Sequence, residues 1–440
     1  MGRSRSPAFV LFLTLFLDLV GFSIIFPLFP ALLDHYLAGE GPESTIGRLA
    51  HQLRELVATD DLADWRVQVL FGGVLGSLYS LLQFLLSPVW GRLSDRFGRR
   101  PVLLTTVGGM VLSYVLWFFA GSFALLVWAR LLGGAMSGNI STATAAMADV
   151  TTRENRAKGM GLIGAAFGLG FILGPALGGM LSLIDLAAEV PALARWGVNP
   201  FSAAAGGALL LSLLNWIWIW RHFGETLPPE RRGKAADARP IDPRVLWGGA
   251  LAPAVRRTNL AYFIFLLAFG GMEFTLTFLV RDRLQWTPTA MAAMFVYVGL
   301  LIALVQGGLV RRLAPRLGEK RLAVIGLSVV IPGLAILAFA DRAWVLYAGL
   351  TPMAIGSGFA IPSLTALVSL YSPAERQGAA LGVFRSLGAL SRAIGPLAAS
   401  IAYWQFGPSV PYLVGAGLLA LPIVIASRLP PPTHGTAPSH

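Results

Sequence analysis

Along this chain apolar residues gather in runs long enough to cross a membrane, and each run is cut off by a cluster of glycine, proline or charge. PAFVLFLTLFLDLVGFSIIFPLFPALL (7–33) and LAYFIFLLAFGGMEFTLTFLV (260–280) are two of them. About 20 apolar residues span a hydrocarbon core as a helix. Helix is required there because lipid offers backbone amides no partner. The pattern predicts twelve spans, over residues 8–33, 68–90, 101–120, 123–147, 157–184, 200–221, 258–281, 289–310, 321–340, 343–370, 377–404 and 409–427. The expected fold is therefore an all-α membrane protein with twelve transmembrane helices.

The polar intervals add an organisation. Residues 222–257, rich in proline, arginine and glycine, read as a linker between two six-helix halves, residues 1–221 and 258–428. The tail 429–440 reads as disordered. Between Asp34 and Arg66, seven acidic residues stand against three arginines. Within that loop (34–67), Ile46, Leu49, Leu53, Leu56 and Val57 recur at helical spacing, which predicts an amphipathic helix lying on the outer surface, as a connector or a substrate lid.

Composition agrees with burial in a bilayer: 55% of the 440 residues are hydrophobic and the mean hydropathy is +0.69. A net charge of +12 would point to nucleic acid in a soluble protein. Here the basic residues sit in alternate short loops: Arg3 and Arg5, 91–100, 151–159, 221–234, 311–321 and Arg428. By the positive-inside rule those loops and both termini are cytoplasmic, so a multi-pass protein of the cell (inner) membrane is expected, with no nucleic-acid partner. The first span is too long for the core of a signal peptide and lacks a small-x-small cleavage site, so it reads as a retained helix. Without cysteine there are no disulfides or thiolate metal ligands, and five scattered histidines imply no metal site. No cofactor is implied. No Walker loop or nucleophile elbow appears, so neither an enzyme nor an ATP-driven pump is expected.

One polar interval recurs. VWGRLSDRFGRRPVLL (89–104) aligns with LVRRLAPRLGEKRLAV (309–324), pairing Leu93 with Leu313, Gly98 with Gly318 and Arg100 with Lys320. GLGFILGPALGG (168–179) is answered by LGALSRAIGPLAA (387–399). Duplicated halves are the footprint of a transporter built around a midplane site. In the first loop, Gly91 and Gly98 predict a tight turn and close helix approach. Asp95 is placed to accept amides at a helix start and to pair with Arg99. In the second loop Pro315 replaces the acid, so a weaker latch or none is expected there.

GRLSDRFGRRP, ARLLGGAMSGNISTATAAMADV (129–150), GLGFILGPALGG and LDLVGFSIIFPLFP (17–30) together resemble the major facilitator superfamily, and within it the drug/proton antiporter branch. The resemblance covers essentially the whole chain. It implies two pseudo-symmetric six-helix halves and alternating access. It also implies that Asp149 joins Asp95 and Arg99 in a latch that holds the halves together in the outward-facing state and breaks on the inward swing. Residues Gly170, Gly174, Pro175, Gly178 and Gly179 match the family's helix-packing motif, and Arg130 its helix 4 arginine, near the proton site. The plain alternative for the loop arginines is that they only set topology.

Five charges fall inside apolar spans: Asp18, Arg130, Glu273, Arg385 and Arg392. Each costs about 2.5–3.5 kcal/mol at the bilayer centre, so they must face a wet cavity or pair with one another. Glu273, with no basic neighbour within two turns of sequence, is the candidate proton carrier. Asp18 is the second, unless it pairs structurally with a helix end or Arg130. Arg385 and Arg392, two helical turns apart, share a face and suit an anionic headgroup, or else neutralise the two acids. The amides Asn139, Gln83 and Gln306 line a path or tie helices together. Phe274 stands among several phenylalanines of which one or two would touch substrate. Trp216, Trp218 and Trp220 read as an interfacial belt. The expected function is a proton-coupled secondary transporter, an antiporter or exporter of amphipathic or anionic small organic molecules, acting as a monomer. A lipid or lysophospholipid translocator of the same fold, and a non-transporting receptor or scaffold, are the alternatives.

Overall fold

The computed structural model describes residues 6–41, 43–44, 46–48, 51–52, 64–151, 156–232, 251–373 and 377–431. All regular elements among them are helices. Eleven are long and apolar enough to cross a membrane: α1 (Pro7–Gly39), α2 (Gln68–Phe97), α3 (Arg99–Phe118), α4 (Phe123–Val150), α5 (Leu162–Glu189), α6 (Ser202–His222), α7 (Pro253–Leu284), α8 (Pro288–Leu317), α9 (Glu319–Leu337), α10 (Ala343–Leu370) and α12 (Val410–Ser427). α11 (Gln377–Phe406), 30 residues long, carries Arg385 and Arg392 and completes the twelve. Most of the predicted amphipathic helix after α1, the middle half of the linker (233–250) and most of the tail lie outside the described residues.

Local chemistry explains where the helices break. Pro27 and Pro30 lack an amide donor, and α1 passes through a 3-10 turn at Phe26–Leu28 before resuming at Phe29. α4 breaks at Ser137 and Gly138. There the Trp90 indole donates to the carbonyl of Ala135 at 2.7 Å and packs on Gly138 so closely that a Cβ would overlap the ring. In α8 the six residues Val305–Val310 form a π-helix that includes Gln306. The two repeat loops adopt the same turn: Gly98 (φ 104°) and Gly318 (φ 78°) each precede a helix, in backbone that favours glycine. One prediction fails here. α2 does not turn at Gly91 but runs through to Phe97, because past the lipid boundary a charged stretch remains a good helix former.

Contacts divide the chain into two compact units, residues 1–239 with 280–296, and residues 240–279 with 297–440. The first thus includes the end of α7 and the start of α8, which the linker-based division had given to the second half. Arg281 pairs with Asp34 at 2.5 Å, Gln68 donates to the other oxygen of Asp34 at 2.5 Å, and Gly179 packs on Ala292. The core of this unit joins α1 (Val10, Leu11, Leu15), α3 (Leu103, Val107), α4 (Ala146, Met147) and α6 (Ile219). In it α5 lies against α1 through a glycine ladder. A Cβ on Gly170 would stand 2.6 Å from that of Leu19, and one on Gly174 would stand 2.6 Å from the Val20 carbonyl. Ser23 Oγ crosses the contact to the Gly170 carbonyl at 3.0 Å. In the second unit α9 and α10 interlock through Gly326 and Gly333 against Gly356 and Gly349.

Candidate transport site and latch

At the α2–α3 turn the buried Arg99 guanidinium collects three partners. Asp95 lies at 2.6 Å, Asp149 at 2.9 Å and Ser94 Oγ at 2.6 Å. The predicted residues Asp95, Arg99 and Asp149 thus meet, but all within the first unit and without Gly91, so this contact does not itself join the halves as expected. The helix-start amides, however, go to a residue the sequence did not single out. Glu225, just beyond α6, accepts from the amides of Arg99 at 2.8 Å and Arg100 at 3.2 Å, and closes its own turn with the amides of Thr226 and Leu227 at 3.0 Å. A Cβ at Gly98 would collide with this carboxylate. Partial burial pushes the Glu225 carboxyl upward, but the amides of Leu227, Arg99 and Arg100 and the charge of Arg232 outweigh it and hold it below the usual glutamate range. Its only signal in the sequence is that it is one of two glutamates in RHFGETLPPERR.

Deeper in the same unit, Asp18 and Arg130 are both buried. They form no ion pair with each other. Arg130 instead lies over the rings of Tyr79 (4.5 Å) and Phe22 (5.6 Å), which stabilise a cation by their π faces. Asn139 faces Asp18, with its side-chain oxygen bonded to the Ile140 amide at 2.9 Å. Tyr114 stands within electrostatic reach of both charges and packs on Gly21. Tyr79 and Tyr114 were not anticipated.

In the second unit α7 and α11 approach closely where Gly271 meets Gly395, and Ser391 Oγ donates to the Phe263 carbonyl at 3.0 Å. That contact brings the half-buried Glu273 within electrostatic range of Arg392. Tyr262, which senses both Arg385 and Arg392, stacks on Phe384 at 3.6 Å between ring centres. Arg392 therefore stands between the predicted acid, about three helical turns along α7 from Tyr262, and the Tyr262–Phe384 pair that Arg385 also faces. Phe274 meets Phe278 at 5.4 Å between ring centres. Gln83 and Gln306 are half-buried, and no described contact ties them to the charges. Of the belt, Trp216 donates to the Leu104 carbonyl at 3.0 Å and only Trp220 is exposed.

A helical bundle with a repeated loop turn, an arginine-centred charge cluster and ionisable groups within its spans points to a membrane transporter. The chain belongs to the Major Facilitator Superfamily, whose profile matches residues 11–318 and 310–440. It is similar to the bovine "Major facilitator superfamily domain-containing protein 10", with 36% identity over 97% of this chain and 93% of the relative. It is also similar to the class C tetracycline resistance protein of Escherichia coli, 30% identical over 94% of this chain and 95% of the relative. Among solved structures, the human organic anion transporter MFSD10 (TETRAN) superposes with a TM-score of 0.75 at 33% identity, over 97% of this chain and all of that one. The protein is a multi-pass membrane transporter and not an enzyme.

Proposed function

We propose that this chain is a proton-coupled exporter of anionic or amphipathic organic molecules working by alternating access. The observation that carries the reading is the α7–α11 contact, where Arg392 stands in electrostatic range of both the Glu273 carboxyl and Tyr262, and Tyr262 stacks on Phe384 with Arg385 also in range. Arginine forks suit a carboxylate, sulfonate or phosphate on the cargo, and the Tyr262–Phe384 wall suits its apolar body. The human relative named as an organic anion transporter supports the substrate class, and the tetracycline resistance proteins support export.

The two carboxyls divide the work. Ionised Glu273 competes with an incoming anion for Arg392, and a proton on Glu273 removes that competition. The counter-moving proton of an exchanger then rides on Asp18, buried beside Asn139 in the other unit. The latch around Arg99 holds one end state and opens in the other.

The test is flux in proteoliposomes with an imposed pH gradient. Glu273→Gln mimics the protonated form, so anion binding persists and loses its pH dependence. Asp18→Asn stops gradient-driven flux while leaving anion binding intact. Arg385→Ala and Arg392→Ala each weaken anion binding at least about tenfold, as loss of a charge-assisted hydrogen bond requires. Unchanged pH dependence in Glu273→Gln, or unchanged gradient-driven flux in Asp18→Asn, refutes the coupling. Undiminished transport of every anionic substrate in both arginine variants refutes the substrate class.

A further inference from the structure

A second polar site lies at the linker end of α7, one to two helical turns before Tyr262. A cavity of about 320 Å³ opens there between the start of α7 and α11. Its walls include Arg256, Arg257, Asn259, Leu260, Phe263 and Leu387. Arg256, Asn259, Leu260 and Phe263 fall at i, i+3, i+4 and i+7, so the helix presents them on one face. The arginines are exposed, and no carboxylate among the described residues pairs with either. Leu260 is 39% exposed, as a residue against acyl chains would be.

Asn259 is the telling group. Only 3% of it is exposed, it lines the cavity, and neither its amide nitrogen nor its carbonyl oxygen has a hydrogen-bond partner. Burying a primary amide without partners is costly, and a native protein that does so generally holds a ligand, ion or water there. The cavity is many times the roughly 30 Å³ of a water molecule. An occupant that satisfies Asn259 must offer both an acceptor and a donor. One that satisfies the arginines must be anionic, and one that covers Leu260 and Phe263 must be apolar at one end.

We infer that this cavity binds an anionic phospholipid from the leaflet on the linker side. Its phosphodiester lies on Arg256, Arg257 and the amide nitrogen of Asn259, and a hydroxyl of its headgroup alcohol donates to the Asn259 oxygen. Basic pockets between transmembrane helices on the cytoplasmic side take such headgroups, and a bilayer supplies them at high local concentration. The lipid is a fixed ligand of α7, distinct from any cargo of the site near Glu273. It ties the end of α7 to the membrane surface at the point where the linker enters.

The experiment measures lipid retained by the purified full-length protein, and its thermal unfolding, in detergent supplemented in turn with phosphatidylglycerol, phosphatidylcholine, glycerol 3-phosphate or inorganic phosphate. Phosphatidylglycerol should be retained and should raise the unfolding temperature, while the other three should do neither. Each arginine near the surface contributes about a fivefold gain in affinity, so Arg256→Ala/Arg257→Ala should weaken retention about thirtyfold. Arg256→Lys/Arg257→Lys should restore most of it, and Arg311→Ala/Arg312→Ala, removing exposed arginines elsewhere, should leave it unchanged. Asn259→Leu supplies a readout that misfolding does not imitate: without lipid the variant should be at least as stable as the wild type, yet gain less from phosphatidylglycerol. Equal retention in the alanine double variant and the wild type overturns the assignment. So does equal stabilisation by phosphatidylcholine, or by the water-soluble phosphates, which would make the site one for a free anion.

Discussion

Replacing Glu225 by glutamine tests whether α3 is anchored by a carboxylate brought from beyond α6. In the wild type that carboxylate accepts the Arg99 and Arg100 amides, two of the four amide donors left open at the start of a helix, along with two amides of its own turn. Glutamine keeps one acceptor oxygen and loses the charge. A capping side chain is worth about 0.5–2 kcal/mol, and a negative charge at a helix start adds about 0.3–1. About a quarter of the Glu225 side chain is exposed, so solvent trims the charge contribution and about 1–2 kcal/mol is expected overall. For a unit of this size that lowers the unfolding temperature by about 2–8 °C, readable from intrinsic tryptophan fluorescence in detergent at neutral pH.

The pH dependence has a definite sign. The folded-state pKa of Glu225 lies below its ordinary value of 4.5, so its contribution is complete above 4.5 and is lost as pH falls through the folded value. Wild type and variant should therefore differ at pH 7 and converge in acid below 4.5. Equal unfolding temperatures at pH 7, or a gap that survives unchanged in acid, would refute the reasoning.

Other substitutions follow from the same packing. Gly174→Val forces a side chain into Ser23 and the Val20 carbonyl and should cost about 1–3 kcal/mol, seen as lower monodisperse yield and earlier unfolding, whereas Gly168→Ala, which meets open space, should be neutral. Arg99→Lys cannot hold Asp95, Asp149 and Ser94 together, and it should lose about 1–2 kcal/mol and shift the balance of conformations in a cysteine-accessibility assay on that side. Asp34 and Arg281 are each at least a third exposed, so a double-mutant cycle should give under about 1 kcal/mol of coupling, falling with added salt.

Sequence and structure agree where one interaction dominates. Apolar runs located the spans because exclusion from water acts on every residue of the run alike. Their ends were less legible: the span expected to stop near Trp90 continues to Phe97, since helix propensity rather than lipid decides the matter once the chain emerges. GRLSDRFGRR announced Asp95 and Arg99, which are neighbours on one strip of chain, and the family resemblance added Asp149. Glu225 stayed hidden because its amide partners lie some 125 residues upstream. Tyr79 and Tyr262 were hidden differently: among 26 phenylalanines and 9 tyrosines, nothing marks which rings an arginine will meet. The family resemblance marked Gly170, Gly174 and Gly178 as part of a helix-packing motif, but only coordinates show α1 as the partner.

The π segment at Val305–Val310 bears on how the two copies of the fold are compared. Each turn of that winding holds more residues than an α turn, so α8 takes up an extra position that α2 does without. Counting back from Gly318 and from Gly98 keeps the copies in step only as far as this segment, and beyond it matching heights differ by one number. Gln306 lies within this segment. A pairwise symmetry assumed from the loop alignment would therefore assign partners to the wrong azimuth along the rest of the helix.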